Sequence, residues 1–217
     1  MHVTDILLKR YSVKEFDSSK KLTVEELDEL EALLELSPSS TNVQPWHFII
    51  ATSDEGKKRI AKAAHGFYRF NEQKVLDAPA VAVFATRIDI TKEYLTHVLD
   101  KEEKDGRFSS GEYKGQMHDG RSVFVNMHVF DLKDIQHWAE KQVYLNVGHF
   151  LFGATSMGLD TVAMEGFDFA CLDEELGLRE QGFTSTVVVA VGHHREGDFN
   201  KALPKSRLMK NEIISKI

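Results

Sequence analysis

Five cations stand in two short runs far apart in the chain. Lys9, Arg10 and Lys14 flank Ser12 in KRYSVKEF, and Lys205 and Arg207 fall in PKSR. Guanidinium forks match phosphate oxygens two at a time. Ser12 and these two runs could therefore form a phosphate clamp, provided the fold brings them together. The competing reading is solvated surface, the usual fate of charge clusters near chain ends. A second chemically dense stretch, SPSSTNVQP (37–45), is a polar loop rich in hydroxyl and amide side chains.

Other chemistries find no support. Ten histidines are present, but no HExxH or HxxxH pair falls on a predicted helix. His193 and His194 are adjacent at a strand end and point to opposite faces, so they cannot chelate one ion together. No metal is expected. A single cysteine, Cys171, excludes an intrachain disulfide and a thiolate cage. No GxSxG elbow, GxGxxG turn or Walker loop occurs, which argues against a serine hydrolase and a Rossmann-type nicotinamide enzyme.

The elements that must position these residues follow from periodicity. Thr23 and Glu26 form a capping box before Leu27, Leu30, Leu33 and Leu34, so 23–36 is a helix that ends at Pro38. Residues 46–52 read as a strand and 54–64 as a short helix. Residues 78–87 are apolar on both faces, which predicts a central strand. Residues 89–104 are helical and so charged that a surface position is expected. Residues 109–130 suggest a helix with a glycine-rich start. Asp134 is expected to cap a helix reaching Met157, 161–166 is a short strand, and Asp168 caps one more helix. Residues 183–194 form the clearest strand, and a polar C-terminal arm follows. Strands separated by helices give an α+β or α/β domain with a sheet flanked by helices.

The second half of the 135–157 helix is apolar nearly all round, so every side must be buried. Its small residues Gly148, Gly153, Ala154 and Ser156 invite another backbone, and a two-fold dimer is expected there. The length of 217 residues suits one domain, 1–217, and the net charge of −7 argues against a general nucleic-acid binder. No apolar run approaches the roughly 18 residues of a membrane span. MHVTDILLKRYSVKEF is charged from Asp5 onward and does not resemble a secretory signal. A cytoplasmic protein is expected.

Taken in order, RYSVKEF (10–16), SPSSTNVQPW (37–46), FNEQK (70–74), KQVYLNVG (141–148), EGF (165–167), VGHH (191–194) and LPKSR (203–207) resemble the nitroreductase family across essentially the whole chain. The likeness is to the oxygen-insensitive NAD(P)H nitroreductases of enteric bacteria, also called dihydropteridine reductases and related to bacterial flavin reductases. It implies an α+β fold with a mostly antiparallel central sheet, a dimer made through long helices, and one FMN per subunit at the interface. It also implies NADH or NADPH as electron donor and nitroaromatics, quinones or pterins as flat acceptors, reduced by a ping-pong two-electron scheme. A physiological dihydropteridine or flavin reductase, and a non-catalytic flavin-binding protein, remain alternatives.

By the same resemblance, Arg10, Ser12, Lys205 and Arg207 hold the FMN phosphate. Lys14, Asn71 and Lys74 meet the polar edge of the ring, and Glu165 and Gly166 lie at its face. Pro38, Ser39, Ser40, Asn42 and Gln142 come from the partner. Thr41, Tyr68, Phe70, Gly120 and Phe124 line the acceptor channel. Ala163 stands where the close relatives carry proline. Lysines at the ring edge suit the negative charge that reduction places there. A glycine turn suits a close backbone approach. No side-chain acid is required, because water can supply the protons.

Overall fold

The computed structural model describes residues 2–217. In chain order the helices are α1 (Val3–Lys9), α2 (Val24–Glu35), α3 (Asp54–Ala61), α4 (Glu72–Asp77), α5 (Lys92–Lys104), α6 (Gly111–Asn126), α7 (Ile135–Ser156), α8 (Phe169–Leu176) and α9 (Lys210–Ile213). The strands are β1 (Trp46–Ala51), β2 (Ala80–Arg87), β3 (Asp160–Met164) and β4 (Phe183–Gly192). They form one sheet in the order β1-β2-β4-β3, every named pair antiparallel.

β2 and β4 are central, as their two apolar faces require. Ala80, Ala82 and Phe84 pack with Val187, Val189 and Val191 under α2 and α7. Val81 and Val83 pack with Val188 and Ala190 on the opposite face, beside Ile60, Val75 and Leu172. Period-two alternation thus feeds two cores from the same strands. A bulge shifts the β2–β4 register after Phe84, leaving Thr186 without a strand partner. Its hydroxyl meets that of Thr86 at 2.6 Å instead. Ala163 pairs opposite Val189 on the edge strand β3. An edge strand tolerates proline, so the exchange leaves the ladder intact.

Three expectations need correction. α5 is charged but not a surface helix throughout: Leu95, Val98, Leu99 and Glu102 are buried at helical spacing. Asp134 precedes α7, but its carboxylate bonds no α7 amide. It meets His128 Nδ1 at 2.6 Å, which holds the Asp134 carboxyl below the usual carboxylate range. His128 belongs to a π-helical turn, Met127–Asp131, that ends α6, and its ring stacks on Trp138 with centroids 4.6 Å apart. Finally, Gly153 faces the chain's own α2. An added Cβ would lie 2.3 Å from Leu33 Cδ2. The α7 residues left open within the chain are Gln136, His137, Lys141, Tyr144, Leu145, Gly148 and Ser156. Among the described residues no helix is long and apolar enough to cross a membrane.

Candidate functional site

α1 stops at Lys9, and Arg10 turns the chain into an extended segment with φ −61° and ψ 128°. Ser12 then bridges Thr161 in parallel, with Val13 N–H donating to Thr161 O at 3.2 Å. Alternation puts Arg10 and Ser12 on one side of this segment. Beyond β4, Asp198 accepts the Lys14 amide at 2.9 Å, and Asn200 Nδ2 donates to Ser12 O at 2.7 Å. These bonds lay the C-terminal arm along the N-terminal segment, where Lys205 Nζ donates to Arg10 O.

A cavity of about 770 Å³ results, lined by Arg10, Ser12, Lys205 and Arg207 together with Lys201 and His194. Burial, then Arg207, pushes the Arg10 guanidinium below its ordinary value. Burial, then Arg10 and Arg207, does the same to Lys205. Three cations that repel one another in one cavity form a receptor for an anion. His194 Nε2 accepts from Lys201 Nζ at 2.7 Å, so its proton sits on Nδ1, which meets Asp160 at 2.7 Å.

The second group gathers at the start of α4. A 3₁₀ turn, Gly66–Asn71, delivers the buried Asn71 to its N-terminus. Asn71 Nδ2 donates to Gly166 O at 3.0 Å, and its Oδ1 accepts from Lys74 Nζ at 3.0 Å. Burial, then the charge of Lys14, lowers the Lys74 pKa. A Cβ on Gly166 would fall 2.8 Å from Asn71 Nδ2 and 3.0 Å from Phe70 Cζ. Phe70 itself is 60% exposed, beside Tyr68 on the same turn. Tyr144 OH donates to Glu165 Oε1 at 2.5 Å. Burial first, then this bond, raises the Tyr144 pKa.

The third group is the loop after α2. Ser40 N–H donates to Gln142 Oε1 on α7 at 2.8 Å, and Gln44 N–H donates to Ser39 Oγ at 3.0 Å. Thr41, Asn42 and Gln44 hold positive φ of 49°, 55° and 46°. Such conformations cost about 1–3 kcal/mol each outside glycine and persist where surrounding contacts impose them. Here the loop's side-chain and backbone bonds run to α5, α6 and α7. Gly120 and Phe124 lie on α6, and Phe124 is 46% exposed.

The predicted residues thus sort into three groups. Arg10, Ser12, Lys205 and Arg207 share one cavity. Asn71, Lys74, Phe70 and Gly166 meet at another point, and Lys14 acts on Lys74 through charge alone. Pro38 to Asn42 and Gln142 form a third group, with Gly120 and Phe124 nearby on α6. Sequence reasoning missed Arg121, Glu102 and Tyr144, which are buried or hydrogen-bonded into these groups. Glu102 was recoverable from its place in the i, i+3, i+4, i+7 apolar stripe of α5. Arg121 carried no signal.

The set matches what FMN needs. A trio of cations suits the phosphate, and lysines suit the ring edge, while the missing Cβ of Gly166 lets Asn71 and Phe70 pack against the turn.

Residues 7–193 match the model of the nitroreductase family. An oxygen-insensitive NAD(P)H nitroreductase of Enterobacter cloacae is 56% identical over 99% of both chains. One from Salmonella typhimurium is 52% identical over 100% of both. The fold matches the crystal structure of an Exiguobacterium sibiricum protein in complex with FMN, with a TM-score of 0.82, at 20% identity over 100% of this chain and 98% of that one. With the sheet order, the clustered cations and full-length similarity pointing the same way, the chain belongs to the nitroreductase family.

Proposed function

We propose that the chain is a single-domain, homodimeric, FMN-dependent oxidoreductase that takes electrons from NADH or NADPH and passes them to nitroaromatics, quinones and similar flat acceptors. The observation that carries this reading is the convergence of Arg10, Lys205 and Arg207, drawn from opposite ends of an acidic chain, on one cavity. The names of the full-length relatives support the same chemistry.

Bound FMN supplies the two-electron transfer. Arg10, Ser12, Lys205 and Arg207 hold its phosphate, and the guanidinium forks fix its orientation. Lys14 and Lys74 keep positive charge at the ring's polar edge, where it stabilises the charge of the reduced state. Asn71 is locked between Gly166 and Lys74, so it holds the Lys74 ammonium in a fixed position and would offer its remaining N–H to the same edge. Gly166, without a Cβ, lets Asn71 and Phe70 close on the turn. Tyr144 OH donates a hydrogen bond to Glu165 and so restrains that carboxylate. The exposed rings of Phe70 and Phe124 give flat acceptors a surface to stack on and displace water from it.

The open stripe on α7 and the exposed apolar arm residues Leu208, Met209, Ile213 and Ile214 support a dimer in which a second subunit covers them. The Pro38–Asn42 loop would then complete the partner's site. A reducing cytoplasm suits the free thiol of Cys171.

The test is an absorbance spectrum of the purified protein before and after anaerobic NADH and NADPH. Flavin bands should appear, bleach with the nucleotide, and return on adding nitrofurazone or menadione. A protein that takes up no FMN overturns the reading. Bands that neither nucleotide bleaches leave a flavin-binding protein without this activity.

A further inference from the structure

We propose that the buried Arg121–Glu102 pair is a positioning clamp that fixes Thr41 relative to Phe124 and thereby sets which acceptors the site prefers. The proposal rests on the flavin-site reading above and extends it to two residues outside the three groups.

Arg121 follows Gly120 on α6 and precedes Phe124 by three residues. It is 2% exposed and heads the fully buried side chains by volume. Its Nη2 donates to both oxygens of Glu102, at 2.7 and 2.8 Å, and its Nε donates to the carbonyl of Thr41 at 2.8 Å. Glu102 also accepts from Asn42 Nδ2 at 2.8 Å, with Arg107 Nε 4.0 Å away. One ion pair therefore grips two successive loop residues, both at positive φ. Thr41 is β-branched and rests there only because its surroundings hold it. From α5, Tyr94 OH adds bonds to the carbonyls of Val43 at 3.0 Å and Gln44 at 2.6 Å.

Phe124 sits on the same helix, one turn from Arg121. A single guanidinium thus ties the loop that carries Thr41 to the helix that carries Phe124. Movement at one end of this link is transmitted to the other.

Stability is a poor account of the pair. Breaking even is the usual net result of burying an ion pair in place of apolar side chains. An apolar cluster already stands beside it, formed by Val43, Ile90, Leu95, Val125, Trp138 and Ala139. Within the chain, Arg121 Nη1 and Thr41 Oγ1 are buried without partners. Leaving two polar atoms unmet is the opposite of what optimised packing would do. Fixed geometry is what this network supplies.

The test uses Arg121→Lys and Glu102→Asp, because neutralising either member would strand its buried partner. Lysine keeps the charge but offers a point donor that cannot span Thr41 O and both Glu102 oxygens. Aspartate keeps the carboxylate but is one methylene too short to hold Arg121 and Asn42 together. Two readouts are taken on the purified full-length protein. The first is hydrogen–deuterium exchange in 38–46 and 117–126, which should accelerate together by about tenfold in both variants while the sheet stays unchanged. The second is the kcat/KM ratio of a bulky nitroaromatic to benzoquinone, which should shift by about three- to tenfold. A purely structural pair would lower both rates equally and leave the ratio fixed. Unchanged exchange in both segments, or faster exchange with an unchanged ratio, overturns the proposal. Should the unaltered protein bind no FMN, the flavin reading fails, the selectivity clause falls with it, and exchange alone decides whether the clamp exists.

Discussion

Lys205 donates its ammonium hydrogen bond to the backbone carbonyl of Arg10, across 195 positions of sequence. The bond holds a lysine against the segment whose guanidinium repels it. A phosphate arriving there would relieve that repulsion.

The first expectation concerns this anion site. Arg10→Ala and Arg207→Ala should each weaken FMN binding by about ten- to a hundredfold, on the order of 1.5–3 kcal/mol for a lost charge-assisted bond. Fluorescence titration measures it. Equal affinity in both variants would remove these residues from the site.

Proton linkage provides a second check. The folded protein binds the Lys205 proton less tightly than the unfolded chain does, because burial and its two arginine neighbours push its pKa below 10.5. Without an anion, stability should therefore rise with pH in the window between that depressed value and 10.5. A bound phosphate favours the charged form, so FMN binding in this window should take up a proton and weaken as pH rises. Calorimetry in two buffers of different ionisation enthalpy reads the uptake. No uptake and a flat alkaline affinity would count against Lys205.

Gly166→Ala should disturb the ring-edge group. The new Cβ would press on Asn71 Nδ2 and Phe70 Cζ, at about 1–3 kcal/mol of overpacking. Lower flavin content should accompany a reduced Tm. Full flavin loading and an unaltered Tm in the Gly166→Ala variant would show that this packing has slack.

Phe124 is 46% exposed within the chain, whereas a core phenylalanine would be buried. Phe124→Ala should therefore lower the Tm only slightly and leave FMN reducible. The acceptor preference should move toward bulky nitroaromatics by about 1–3 kcal/mol of contact energy. A large Tm drop with an unmoved acceptor ratio would return Phe124 to the core.

Assembly is best tested on the open stripe of α7. Gly148 has nothing within 4 Å of an added Cβ, unlike Gly153. Gly148→Arg should fold as a chain yet shift sedimentation toward monomer and release FMN together with the partner. A flavin-loaded monomer would contradict a shared site.

Much of this was legible in the sequence because period-two and period-3.6 patterns report burial directly. The strands at 46–51, 80–87 and 183–192 and the helix at 24–35 followed from such patterns. α1 and α4 did not, since each is only a turn or two long and held mainly by its neighbours. The residues of the phosphate group were visible as cations, but nothing local said that positions 10 and 205 would meet. Arg121 stayed hidden for a related reason, although Glu102 stood in the buried stripe of α5. Buried charges look like surface charges until their partners are placed, and their partners lie on another helix and in a strained loop.

The central pairing of β2 with β4 has a consequence for synthesis. Thr86 meets Thr186 across 100 positions, so β2 leaves the ribosome long before its main partner exists. At about 5–20 residues per second, the β1–β2 ladder waits roughly 5–20 s with one apolar edge open. Nascent chains halted before Phe183 should be strong clients for chaperones that shield hydrophobic strands, and that demand should end abruptly once β4 has emerged.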